Sequence, residues 1–171
     1  MKFESVQLTA LDFDDKTFFI GSPGGSTDVI DSISELGIIN PPSVRRMGER
    51  FQIICGWKRL EACKQLGYRE IPCLVYETVD LPDEDCLKFV FFENQQRLND
   101  IDKADLVLKF KLRCNLSEND LIRKILPLIG IGATRKNLER YMSLAGLDSE
   151  VRQAYYEERI SFEQEIGRAH V

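Results

Sequence analysis

Hydrophobic and polar positions along the chain change their period near residue 100. Before it, short apolar runs of strand character, at 6–8, 43–46, 51–55 and 71–76, alternate with helical stretches. The runs at 43–46 and 51–55 flank the polar turn Met47-Gly-Glu-Arg50. Thr27 or Asp28 is placed to cap a helix over 29–36 that Gly37 stops. A second helix is expected from Gly56 to Gly67, burying Trp57, Leu60 and Cys63, and Pro82 opens a third that runs to about Arg97. After residue 100 only helical spacing appears. It predicts an amphipathic helix over 102–114 and a helix over 118–129 capped by Ser117, with Asp120 reaching back as in a capping box. A helix over 135–144 capped by Thr134 and a last one from Asp148 or Ser149 through Glu158 complete the pattern. Pro127 is expected to cut the 118–129 helix short. The fold class is therefore α+β: an α/β N-terminal domain over 1–98, then an all-helical, helix–turn–helix-like domain over 99–164.

Composition narrows the chemistry. With 171 residues, 43% of them hydrophobic, the chain can bury one core or two small ones. The sole histidine, His170, excludes most histidine-based catalysis and multi-histidine metal sites. The five cysteines, at 55, 63, 73, 86 and 114, are odd in number and lack Cys-x-x-Cys spacing, so they read as reduced, buried apolar residues. Acidic residues within the first 15 positions and the lack of a long apolar run point to a cytoplasmic chain without membrane attachment. The net charge of −5 first argues against a polyanion partner, yet it averages two halves: residues 1–100 carry −6 and residues 101–147 carry +4. Residues 165–171, Glu-Ile-Gly-Arg-Ala-His-Val, break the helical pattern, and one codon choice for them spells a widely used sequencing-adapter sequence. The expectation is that these seven residues are an artefact and that the native chain continues past Gln164.

Four segments carry candidate chemistry. In Ile53-Ile-Cys-Gly-Trp-Lys-Arg59 an apolar strand meets a helix at Gly56, with Lys58 and Arg59 in the first turn. Such a turn lets backbone N–H groups approach a phosphate, aided by the helix dipole and both cations; the plainer alternative is a tight turn with solvated cations. In Phe91-Phe-Glu-Asn-Gln-Gln-Arg97, Glu93 and Arg97 are spaced for an intrahelical pair, or Glu93, Asn94 and Arg97 supply metal-ligand oxygens and a phosphate clamp. The glycine-rich stretch 21–26 lacks the Gly-Lys-Ser/Thr ending of a phosphate loop and reads as a connection. Arg123, Lys124, Arg135, Lys136 and Arg140 lie on two successive helices, with Asn137 available for base edges. A helical hairpin with solvated charges is the alternative, and the 126–134 linker is longer than a helix–turn–helix turn.

Together these segments resemble the ParB/Spo0J family of partition proteins, whose N-terminal domain shares its fold with sulfiredoxin. The resemblance rests on Ser32-Ile-x-Glu-x-Gly37-Ile-Ile-x-Pro41, Gly56-Trp-Lys-Arg-Leu-Glu-Ala62, Leu66-Gly-Tyr-Arg-Glu-Ile-Pro72 and Glu93-Asn-Gln-Gln-Arg97, in the family's order. It implies a CTP-binding domain in which Gly56, Lys58, Arg59, Gln96 and Arg97 hold the nucleotide. It further implies Mg²⁺ at Asn94 and Glu93, with Glu93 supporting at most a slow CTPase. The helical unit would bind DNA through Arg123, Lys124, Arg135, Lys136, Asn137 and Arg140. The implied assembly is a homodimeric, nucleoid-associated clamp in plasmid or chromosome partition or transcription control, with a possible partition ATPase as partner. Trp57 stands where the family has Glu, Leu98 where it has an acid, and the segment before Ser26 lacks the family's Pro-Arg. The alternatives from other classes are a protein-interaction module without nucleotide switching and a nuclease or other phosphoester hydrolase.

Overall fold

The computed structural model describes residues 1–21 and 27–157. The chain divides after Glu93 into two compact units. The first holds a five-stranded mixed sheet in the order β1-β5-β3-β4-β2, with β1 Lys2–Gln7, β2 Leu11–Asp12, β3 Ser43–Met47, β4 Arg50–Cys55 and β5 Glu70–Glu77. β1 is antiparallel to β5, β5 parallel to β3, β3 antiparallel to β4 and β4 parallel to β2. Successive residues of a strand face opposite sides, so each strand contributes to two layers. Val44, Ile53, Ile71, Cys73 and Val75 pack with Ile33 of α1 (Thr27–Leu36) and with Trp57, Leu60 and Cys63 of α2 (Trp57–Gln65). On alternate positions, Arg45 and Tyr76 meet α3 (Asp83–Asn94) through the Arg45–Asp83 ion pair and the Tyr76–Phe89 ring contact. Full burial of an aliphatic side chain such as Leu60 or Ile53 contributes about 1.5–3 kcal/mol.

Arg45 is the one charged side chain taken almost wholly out of water in this sheet, at 4% exposure among the described residues. Four of its five N–H groups have acceptors: Nε and Nη2 donate to Gln52 Oε1 at 3.1 and 2.6 Å, Nη1 to Leu81 O at 2.9 Å, and Nη2 to Asp83 at 2.8 Å. Gln52 in turn donates to Asp15 at 2.7 Å. The charge is tolerable there because the guanidinium is paired with Asp83 and hydrogen-bonded on each of its three nitrogens.

The second unit is helical throughout its described elements. α4 (Asp100–Arg113) starts in a full capping box, Asn99 accepting from Asp102 N while Asp102 accepts from Asn99 N. α5 covers Glu118–Asp120, Leu121–Ile125 and Leu126–Leu128, the middle stretch wound as a π turn. α6 is Arg135–Ala145 and α7 is Ser149–Tyr156. α7 buries none of its side chains. It is tied to α4 by polar contacts instead, with Tyr156 donating to Asp102 at 2.7 Å and Arg152 bidentate on Asp105. Burial pushes the pKa of Asp102 up, against the opposing pull of Tyr156 and of the Asn99 N–H.

The structure corrects several expectations. β1 extends from Lys2, because the positions before its buried Val6 are exposed or half-exposed and show no apolar run, and Leu8 belongs to a 3₁₀ turn. α3 stops at Asn94, short of Arg97, and Asn94 O accepts from Arg97 N in a terminal turn. Pro127 does not cut α5. The preceding π turn, in which Leu126 N donates to Leu121 O, relieves the clash a proline ring makes with the carbonyl four residues back. The glycine-rich residues 22–26, the expected end of the last helix at Glu158, and the tail 165–171 lie outside the described residues.

Candidate functional site

At the junction of β4 and α2 the backbone makes a sharp reversal. Gly56 sits at φ +95°, a left-handed conformation that favours glycine, and caps α2 without a side chain. A Cβ there would come within 2.7 Å of Pro42 Cβ and 3.0 Å of Pro42 Cα. Pro42 is itself held against the sheet, its carbonyl accepting from Leu74 N at 2.9 Å. The turn is thus a narrow cradle that only glycine fits, with the first-turn N–H groups of α2 unclaimed by helical bonding.

Arg59, three residues on, joins this cradle to two other segments. Its Nη1 donates to the carbonyl of Asn40, and its Nη2 lies 3.9 Å from Glu93 at the end of α3. Three of the four sequence motifs, through Asn40, Gly56–Arg59 and Glu93, therefore meet around one guanidinium. Lys58 projects as an exposed cation from the same helical turn. The expected intrahelical pair of Glu93 with Arg97 does not form as drawn: α3 ends at Asn94, so the four-residue helical spacing is lost and Glu93 faces Arg59 instead. Asn94 is half-buried, while Gln96 and Arg97 are exposed in the turn beyond α3 and belong to the second unit.

Trp57, the first residue of α2, turns inward. Its ring packs edge-on against Phe13 and Phe19, at centroid distances of 6.3 and 5.3 Å, and Lys16 Nζ lies 4.0 Å from its centroid. Its buried Nε1 has no hydrogen-bond partner among the described residues. Cys55, on the other side of Gly56, is 4% exposed, and burial above all pushes its thiol pKa well up, so it stays a neutral thiol. Among the described residues no group of three or more His, Cys, Asp or Glu is placed to hold a metal ion. Glu93 and Asn94 are the last two residues of α3.

In the second unit, Arg135, Lys136 and Arg140 project from the exposed side of α6, opposite its buried Leu138, Tyr141 and Leu144. Arg123 and Lys124 are exposed on α5. Arg135 pairs with Glu118 at 3.2 Å and Lys124 with Asp120 at 2.8 Å, exposed contacts that a phosphate can replace at little cost. Asn137 is committed to the turn before its own helix, its side-chain amide donating to Gly132 O at 2.8 Å and its N–H to Thr134 Oγ1 at 3.1 Å. Sequence reasoning missed Asn40 and the Pro42 wall, since each reaches the site across the fold, with no local signal.

These features define a class: an α/β domain with a tight glycine turn opening a helix, followed by a helical unit with a basic face. Residues 25–95 match the family described as the ParB N-terminal domain. A probable plasmid-partitioning protein ParB of Thermus thermophilus is 34% identical over 109 residues, 63% of this chain and 34% of that protein. A probable chromosome-partitioning protein ParB of Borreliella burgdorferi is 27% identical over 169 residues, 94% of this chain and 59% of that protein. A pNOB8-like ParB N-domain superposes with a TM-score of 0.58 at 18% identity, over 95% of this chain and 72% of that one, a likeness of fold. The chain spans about a third to three-fifths of the length of such curated relatives. No helix among the described residues is long and apolar enough to cross a membrane.

Proposed function

We propose that this chain is the nucleotide- and DNA-binding part of a ParB-type partition protein, with CTP as the nucleotide. The observation that carries the reading is the Gly56 cradle with Arg59 bridging Asn40 and Glu93, because it gathers separate motifs around an anion-accepting turn. In this reading the N–H groups of the first turn of α2 take phosphate oxygens, Lys58 and Arg59 neutralise them, and Gln96 and Arg97 add contacts to the triphosphate. Glu93 and Asn94 would hold Mg²⁺, which draws phosphate charge toward itself, and turnover by Glu93 is slow at most. Arg123, Lys124, Arg135, Lys136 and Arg140 bind the DNA backbone, and Asn137 holds the turn that presents them. The working assembly is a cytoplasmic, nucleoid-associated homodimer closing on DNA in partition or transcription control, with a partition ATPase as a further partner.

The chain has a single tryptophan, at the cradle, so its emission reports occupancy. Titration with CTP, ATP and GTP, with and without Mg²⁺, is expected to show preference for CTP, and Arg59→Ala to weaken it by roughly 10–100-fold, the worth of a charge-assisted contact. Absence of CTP binding, or an Arg59→Ala variant that binds like the parent, defeats the nucleotide reading. For DNA, Arg135→Ala and Lys136→Ala are each expected to lower the slope of log affinity against log salt by about one. Affinity that ignores salt counts against the DNA surface. A second reading, a ParB-fold interaction module without nucleotide switching, is favoured by Trp57, buried where the family has a carboxylate.

A further inference from the structure

We propose that Glu139 reads DNA sequence, its carboxylate accepting a hydrogen bond from the exocyclic amine of a cytosine in the major groove. The inference rests on the DNA reading above and adds a residue whose charge is wrong for a phosphate contact. α6 winds by about 100° per residue, which sets the order of its side chains around the axis. Leu138, Tyr141 and Leu144 are buried on one side. On the exposed side Glu139 lies between Arg135 on one flank and Lys136 and Arg140 on the other. A single carboxylate is thus set within three cations. Arg135, four residues back, does not take it up but reaches Glu118 at 3.2 Å. Among the described residues no ion pair or side-chain hydrogen bond holds the Glu139 carboxylate.

The other polar side chains of this helix are committed to its own backbone. Asn137 donates to Gly132 O at 2.8 Å, and Ser143 Oγ donates to Glu139 O at 2.9 Å. The helix itself is held firm, Thr134 Oγ1 accepting from Asn137 N at 3.1 Å and Tyr141 donating to Asp100 of α4 at 2.6 Å. Glu139 is therefore the acceptor that α6 presents. On a surface that meets phosphates, a carboxylate repels the backbone and weakens binding to DNA of any sequence. It gains only where it meets a donor, and in the major groove the donors are exocyclic amines. Adenine sets its amine beside the N7 acceptor, which repels a carboxylate, whereas cytosine shows the amine alone. Glu139 also lies early in α6, the end of a recognition helix that contacts bases.

The test selects sites from random duplex DNA with the parent, Glu139→Ala and Glu139→Gln, then titrates the selected duplex and its single-position variants. Glu139 is exposed, so neither substitution is expected to disturb folding. Parent sites are expected to fix a cytosine at one position, and replacing that base should weaken binding roughly tenfold. Glu139→Ala should keep the rest of the site while that position becomes degenerate. It should also bind random DNA more tightly, since a repelling charge is gone. Glu139→Gln should move the preferred base at that position toward adenine, whose N6 and N7 a glutamine amide reads. A Glu139→Ala variant that selects the parent's site with equal sharpness overturns the assignment and leaves Glu139 a solvated residue. So does a parent that binds DNA by charge alone, without preferring any sequence. If the parent binds no DNA, the DNA reading itself has failed and the role of Glu139 falls with it. If Arg135→Ala lowers the salt slope while Glu139→Ala changes no base preference, the reading stands and this inference alone is wrong.

Discussion

Gly56→Ala is expected to lower the thermal midpoint by about 5–10 °C and to cost roughly a hundredfold in nucleotide affinity. Two effects add. An alanine held at a left-handed φ costs about 1–2 kcal/mol, and forcing a Cβ to within 2.7 Å of the rigid Pro42 ring costs about 1–3 kcal/mol more. Relief requires β4 and α2 to part from the Pro42 segment, and that displaces the N–H groups the phosphates would meet. Gly67→Ala is the internal control: its φ of +75° is also left-handed, but a Cβ there meets nothing within 4 Å. It should lose about 1 kcal/mol and leave the nucleotide affinity alone. Calorimetric unfolding and CTP titration of both variants decide the matter. Equal behaviour of the two would show that the cradle has no special role.

The second large effect is expected from the opposite face of the sheet. Arg45→Ala should cost about 3–5 kcal/mol, because it leaves Gln52 Oε1, Leu81 O and the Asp83 carboxylate facing a hole where a guanidinium had satisfied all three. It also strips the cation from the Phe18 ring, whose centroid lies 5.2 Å from the guanidinium carbon. Arg45→Lys should recover only part of the loss, since one ammonium cannot span three acceptors set by a planar fork. Urea unfolding followed by circular dichroism measures both. A full rescue by lysine would mean that charge alone, and no directed bonding, holds this corner together.

Local pattern carried much of this structure and stopped where distance took over. β3 and β4 fall close to their expected bounds because their apolar runs flank the Gly48 turn, and α2 and α6 because Gly56 and Thr134 mark their starts. The strand order could not be read, since it depends on β1 crossing to β5 and β2 to β4, pairings made between distant residues. β2 has only two residues, Leu11 and Asp12, too few for any pattern. The same division runs through the site. Gly56, Lys58 and Arg59 are neighbours in sequence and were found together. That Glu93 turns to Arg59 depends on the packing of α3 against the sheet and on that helix ending at Asn94. The helical unit was legible in outline but not in its winding, as its capping residues are local and its π turn is not.

That π turn has a consequence for chain length. A turn of i→i+5 bonding accommodates one more residue than the α turn it replaces, so Leu121–Ile125 is in effect a single-residue insertion absorbed inside a helix. Leu121, Ile125, Leu126 and Ile129 are all buried, within and just after the π turn. Shortening the stretch by one residue would restore ordinary winding while keeping the downstream apolar positions on the same side. Lengthening it by one would turn them toward solvent. The segment is therefore lopsided toward insertion and deletion, with slack in one direction only.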